Sequence, residues 1–482
     1  MKLKNNIASI FSVLILILFN ACTQDKVIFG NSENLFSAVQ IQKFDYGLRI
    51  GVGKIYQGRY SEQKDTIYFD VTYFPDEAKP TYQDWIMQGS LFQGAKVEPG
   101  LSGPKDLKDP LNLTMISPDG LLKRNVTIYT NIYEIPFGEL EKGFGRYNKL
   151  WNKSSTVLGG WTANAQTSLA VIGDELIVNN GIKELLIYDK RTGLKLDKVV
   201  PAPVSNSAPI FAIAVDNQEI LHAVTYINTF AVAKFRIFRW INGLDQAPEI
   251  FMEIDATAIP STRNTGMGRT FSICGNTSGD AQIMVALDGY GQTENRIVRI
   301  PVVGGIPSLI PDIFNSTVNW TWRGKGVAAS STGKTPYFAS SLGAPAGLAY
   351  YDNAGEHRFT MAANASNFLN KTAVVNAFYF VFNNVKYLAA ATVSWPGDLR
   401  MLIFNIDDSN LITTSKADDV KKYGILNPFC ENWDFLGATN PNGTGDITVQ
   451  VQEDGKTVLV YMLDTNSGIL AYELTNIGAS SK

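Results

Sequence analysis

Apolar and polar residues alternate in short runs along most of the chain, and helical spacing is nearly absent. The runs "DTIYFDVTYF" (65–74) and "NVTIYTNIY" (125–133) are rich in β-branched and aromatic residues at a period near two, which predicts strands. Between them, "SPDG" (117–120) places Pro, Asp and Gly where a tight turn uses them. Residues 34–133 therefore predict one all-β module. Its size, about 100 residues, suits an immunoglobulin-like β-sandwich. No Cys…Trp…Cys framework is present, so the expectation concerns architecture alone. A connector, 134–153, follows.

From 154 to 482 the pattern repeats. A strand pair joined by a tight turn recurs six times: "SLAVIGDELIVNN", "IFAIAVDNQEILHAV", "TFSICGNTSGDAQIMVAL", "KGVAASSTGKTPYFASS", "NAFYFVFNNVKYLAAA" and "DITVQVQEDGKTVLVYML". A third strand follows each, as in "ELLIYDKRTG" and "GILAYEL". A short fourth strand, such as "LKLDKVV", follows all but the last. Four strands per unit, at roughly 50 residues per repeat, predict β-propeller blades that bury their faces only by stacking around an axis. The fold class is all-β: an N-terminal immunoglobulin-like β-sandwich, then a six-bladed β-propeller. A seven-bladed alternative would place a degenerate blade in 405–445. "SSTVLGG" (154–160) is expected to supply the last unit's missing strand and close the ring.

Loop length separates the two faces of such a ring. The turns "GD" (173–174), "DNQ" (216–218) and "FNN" (382–384) are short and fall on one face. The connections "DATAIPSTRNTGMGR" (255–269), "DIFNSTVNWTWRGK" (312–325) and the segment 418–446 are long and fall on the other. Long loops on a rigid scaffold are where binding usually sits. The candidate ligand-binding residues on that face are Trp161, Arg263, Arg269, Trp320, Trp322, Arg323, Trp395, Asp398, Trp433 and Asp434. Aromatic rings beside Asn, Asp and Arg suit a carbohydrate: the ring packs on sugar C–H groups while the polar groups meet hydroxyls. Arg263 and Arg269 would suit an acidic group. Lys190, on the opposite face, is expected to play no part in binding.

Other chemistry finds less support. A propeller glycoside hydrolase or polysaccharide lyase needs carboxylates a few ångströms apart across the axis. Asp255, Asp398 and Asp434 are the candidates for that, without periodic placement. His222 and His357 stand far from any metal-ligand spacing, and neither "GMGR" nor "GYGQ" opens a helix, so no metal, cofactor or catalytic residue is assigned. A net charge of −3 does not suit nucleic acid. Cys274, within "TFSICG", reads as a buried free thiol.

The N-terminus addresses the chain. Lys2 and Lys4 precede an apolar run, Ile10–Phe19, and Asn20-Ala21 precede Cys22. This is the layout of a secretory signal peptide, with an apolar run too short to span a bilayer comfortably. A cysteine directly after the small residue resembles the lipobox of bacterial lipoproteins, which implies lipidation of Cys22. Residues 1–21 are then the signal peptide and 22–33 the anchor and tether. Thr23 rather than Asp follows, which by the same resemblance implies the outer membrane rather than the inner one.

The lipobox, the module with its "SPDG" hairpin and the repeat together resemble cell-surface lipoproteins of Bacteroidetes, in families described only as domains of unknown function. The resemblance implies a membrane contact through the lipid and a glycan ligand. It also implies a place beside an outer-membrane transporter complex; a scaffold for a protein partner is the other non-enzymatic expectation. It carries no site residues.

Overall fold

Strands form where β-branched and aromatic residues alternate with polar ones. The structure is a computed structural model and describes residues 36–42, 55–61, 65–75, 77–91, 93–134, 137–140, 147–181, 185–201, 203, 210–227, 234–259, 266–342, 347–362, 373–393, 399–407, 440 and 443–476. The chain divides into two compact units, 1–136 and 137–482.

The first unit contains β1 (Phe36–Gln42), β2 (Ile55–Gln57), β3 (Arg59–Tyr60), β4 (Thr66–Tyr73), β5 (Trp85–Leu91), β6 (Lys96–Glu98), β7 (Pro104–Lys105), β8 (Leu111–Ile116) and β9 (Lys123–Glu134). One sheet runs β2-β1-β5-β7 and the other β3-β4-β9-β8-β6. The period-two pattern puts Ile67, Phe69 and Val71 of β4 on one face, where they meet Ile41, Trp85 and Met87 of the other sheet in a single buried core. Each such side chain contributes about 1.5–3 kcal/mol when removed from water. The two runs that announced the module pair with each other in parallel, from Thr66↔Thr127 to Tyr73↔Glu134. "SPDG" joins β8 to β9, with Gly120 at φ 75° and its N–H donating to the Ser117 carbonyl at 2.9 Å.

The second unit begins with β10 (Tyr147–Ser154) and one helical turn, α1 (Ser155–Leu158). Five sheets follow in series. The first holds β11 (Gln166–Ile172), β12 (Glu175–Asn180) and β13 (Leu185–Asp189). The second holds β14 (Ile210–Val215), β15 (Leu221–Thr225), β16 (Lys234–Arg239) and β17 (Glu249–Asp255). The third holds β18 (Gly266–Gly275), β19 (Ala281–Asp288), β20 (Glu294–Val303), β21 (Ile306–Pro307) and β22 (Asp312–Trp320). The fourth holds β23 (Arg323–Ala328), β24 (Tyr337–Leu342), β25 (Gly347–Tyr351) and β26 (His357–Ala362). The fifth holds β27 (Ala373–Phe382), β28 (Val385–Val393) and β29 (Leu399–Asn405). A last sheet combines β30 (Gly445–Val451), β31 (Thr457–Asp464) and β32 (Gly468–Thr475) with β10, in the order β10-β32-β31-β30. The first strands stand side by side in the sequence β11, β14, β18, β23, β27, β30 and back to β11. The arrangement is propeller-like, with apolar side chains of adjacent sheets sharing each core.

Two details differ from expectation. The strand that completes the last sheet is β10, from Tyr147↔Leu474 to Ser154↔Gly468, and not "SSTVLGG". Ser155–Leu158 instead make α1, with Ser154 as its N-cap and Gly159 ending it at φ 69°. "LKLDKVV" makes no fourth strand; a single bridge, Tyr188↔Lys195, stands in its place. Of 405–445, the place of the seven-bladed alternative, residues 408–439 and 441–442 lie outside the described residues. On the face of the short turns, Lys190 is buried and its Nζ donates to the Gly173 carbonyl at 2.6 Å and to Gln450 at 3.0 Å. It is a structural residue and a poor neutral control.

Candidate functional site

The first strands all begin at one end of the ring, here called the mouth. Four of them carry a register shift near that end, in β11, β14, β18 and β27. A bulge gives a strand extra residues and re-aims their side chains. In β14 the extra residue is Phe211, since Ile210 pairs with Thr225 and Ala212 with Val224. In β18 Met267 pairs with Leu287 and Phe271 with Val285, so Gly268, Arg269 and Thr270 together oppose Ala286. The bulges thus set Phe211 and Arg269 apart from the ladder.

They meet at the mouth. The Arg269 guanidinium carbon lies 5.1 Å from the ring centre of Tyr226, 5.3 Å from that of Tyr290 and 5.8 Å from that of Phe211. A guanidinium among aromatic faces gains cation–π attraction and a fixed orientation. Its Nε donates to Tyr226 Oη at 3.0 Å and stands 3.3 Å from Asp288 Oδ2, too poorly aligned there for a hydrogen bond. Tyr226 and Tyr290 share a hydrogen bond between their hydroxyls. The turn after Asp288 is tied to the link between β22 and β23, with Gly289 N–H donating to the Trp322 carbonyl at 3.0 Å and Gly291 N–H to the Thr321 carbonyl at 2.6 Å. Trp322 is 52% exposed.

Glycines permit this approach. Gly268 has φ 96°, and a Cβ there would sit 2.2 Å from the Thr225 carbonyl oxygen. A Cβ on Gly289 would meet the Thr321 carbonyl oxygen at 2.6 Å. "GMGR" and "GYGQ" are therefore close-packing devices that frame the site.

Charged groups continue inward. Asp288, 1% exposed, is pushed up to about 7 by burial; Arg269 and Arg323 oppose this and Glu294 adds to it. Arg323 is brought down to about 10 by burial and by Arg269, and its Nη2 donates to the Gly443 carbonyl at 2.8 Å, reaching from β23 to the approach of β30. Lys325 is lowered to about 8 by burial, and its Nζ donates to the Phe271 carbonyl at 2.6 Å. Asp446 is raised to about 6 by burial, and accepts the Leu169 N–H at 2.9 Å. Glu294 is engaged by Arg296 at 2.6 Å.

The sequence candidates separate accordingly. Arg269 and Trp322 lie at the mouth, and Arg323 lies buried beneath it. Trp320 is a correction: it is fully buried, its indole donates to the Leu287 carbonyl at 2.6 Å, and it belongs to a core, so it presents no ring to a ligand. Trp161 is half-buried, packs on the core between the first and last sheets, and donates to Tyr188 Oη at 2.9 Å. Cys22, Arg263, Trp395, Asp398, Trp433 and Asp434 lie outside the described residues. Phe211, Tyr226, Asp288 and Tyr290 were not singled out from sequence; the paired glycines beside "R" and "Y" were their only local signal. Cys274 is a free thiol, pushed up to about 11 by burial.

Fold and mouth together define an all-β, propeller-like protein with an arginine–aromatic cluster at the ring opening. The chain belongs to the DUF8500 family, described as a domain of unknown function, which matches residues 149–474. A DUF4623 family protein from Bacteroides eggerthii shares the fold at a TM-score of 0.54 and 15% identity, over 92% of this chain and 98% of that one. A protein of unknown function from Bacteroides thetaiotaomicron matches at 0.37 and 11%, over 84% and 100%. A gluconolactonase from Xanthomonas campestris matches at 0.34 and 10%, over 70% and 94%. No curated protein matches the sequence.

Proposed function

We propose that this protein is a lipid-anchored component of the outer-membrane surface whose ring mouth binds a glycan. The observation that carries the binding reading is Trp322, an exposed indole whose backbone is hydrogen-bonded to the turn bearing Tyr290, the ring against which the Arg269 guanidinium lies. A ring for sugar C–H groups and a donor for hydroxyls then stand on one rigid rim. The six sheets of the second unit are read as six blades, and the first unit as an immunoglobulin-type spacer after the Cys22 tether. The chemistry of the mouth favours binding over hydrolysis. Among the described residues Asp288 is the mouth carboxylate raised to about 7, and it is buried beside Arg269. A neighbouring transporter or protein partner remains part of the surface reading.

The test uses the mature chain with Cys22→Ala, in affinity electrophoresis against polysaccharides. Trp322→Ala should weaken retention about tenfold, the worth of one stacking ring. Being exposed, it should leave stability within about 0.5 kcal/mol. Unchanged retention on a polymer that the parent binds would remove Trp322 from the site. In cells, Cys22→Ala should move the protein from the membrane pellet to the soluble fraction; continued sedimentation with membranes would end the anchor reading.

A further inference from the structure

We infer that the mouth recognises an acidic sugar, a uronate-type residue whose carboxylate is received by the terminal fork of Arg269; this rests on the glycan reading above. Among the described residues, Nε of Arg269 is engaged by Tyr226 and faces Asp288, whereas neither terminal nitrogen has a hydrogen-bond partner. The side chain is 25% exposed. Three aromatic rings hold the guanidinium, so its two terminal nitrogens are fixed before any ligand arrives. A planar fork held this way matches a carboxylate in bidentate fashion. Neutral hydroxyls need no such fork.

The charges around it agree in sign. The groups facing the Arg269–Asp288 pair are Tyr226 after β15, Tyr290 in the turn after β19, Glu294 on β20 and Arg323 on β23. Lys325 and Asp446 stand next to Arg323. Glu294 is matched by Arg296. Among the described residues that leaves Arg269, Arg323 and Lys325 against Asp288 and Asp446, a surplus of positive charge. Nor does Asp288 stay fully ionised at neutral pH, because burial raises it to about 7. An incoming carboxylate competes with Asp288 for Arg269. Protonating Asp288 removes the competitor, so binding takes up a proton there.

The experiment uses the mature chain with Cys22→Ala. Its probes are polygalacturonate, the same polymer with carboxyls reduced to alcohols, and polyglutamate, at pH 6 and pH 8. The reduced polymer should bind at least about tenfold more weakly than polygalacturonate, the worth of one charge-assisted pair. Arg269→Lys keeps the charge but loses the fork, and should erase that difference. If only the protonated Asp288 form binds, affinity should fall about tenfold from pH 6 to pH 8, in proportion to the competent fraction. Asp288→Asn should bind at pH 8 as the parent does at pH 6. Should Arg269→Lys melt well below the parent, the isosteric Asp288→Asn carries the test alone. Equal binding of the two polysaccharides overturns the acidic inference and leaves the glycan reading standing. Binding of polyglutamate with neither polysaccharide overturns the sugar in both readings. Binding of no polymer overturns both.

Discussion

At the scale of single residues, burial decides what Asp288 does to stability. An aspartate titrates from 3.8 in the unfolded chain and near 7 in the fold, so between those values the folded state holds more protons. Stability contributed through this group is therefore lost as pH rises from about 4 to about 7. Asp446 and Asp464, raised by burial to about 6, act in the same direction below that value. His222, lowered to about 4 by burial, acts oppositely between there and its ordinary 6.5. Asp288→Asn should flatten the fall of melting temperature between pH 5 and pH 7.5; an unchanged slope would show that the carboxyl is not protonated in the fold. Two tryptophans separated by one residue make a second contrast. Trp320→Ala should cost about 3–5 kcal/mol, as deletion of a buried indole does, and lower the melt accordingly. Trp322→Ala should not. Their residue type was legible as "WTWR", but which ring faces the core depends on the pairing of Trp320 with Glu294 across the sheet, and no local pattern carries that.

At the scale of elements, hairpins were the readable part. "ELIVNN" and "NAFYFVFNN" combine alternation with a turn signal, and both form the expected strands. The outer strands were readable in part: expected fourth strands appear as β17 and β26, whereas the strand that closes the ring was missed. β10, "YNKLWNKS", is mostly polar because it is an edge paired on one side only; its burial rests on Trp151, whose indole donates to the Lys190 carbonyl at 3.0 Å. That contact joins residues 39 apart, beyond any local signal. A chain beginning at residue 155 should thus expose the edge of β32, and exposed edges aggregate. A chain beginning at residue 137 keeps β10 and buried Leu140 and should stay in solution, with a clearly higher melting temperature. Equal melts and equal solubility would mean that β10 is dispensable. The mouth was half legible for the same reason. Arg269 and Trp322 stood out as residue types on long connections, whereas Asp288 in "LDGYG" reads as a turn former until its partners from β18 and β23 surround it.

At the scale of the whole molecule, the two compact units divide the labour: one is a two-sheet sandwich with a single core, the other a ring with a mouth. The ring's closing ladder has a direction. Ser154 and Gly468 pair at the mouth end, where Asp464 also meets Gly445, while Tyr147 and Leu474 pair at the far end. Tyr147, where β10 begins, thus lies on the side away from Arg269. Suppose the mouth holds a large ligand while the chain ahead of residue 147 is held. The tension then runs lengthwise along β10, and its ladder is loaded in shear, all hydrogen bonds at once, rather than unzipped one by one. A seam that only seals the ring at rest becomes, under drag, its mechanical clamp.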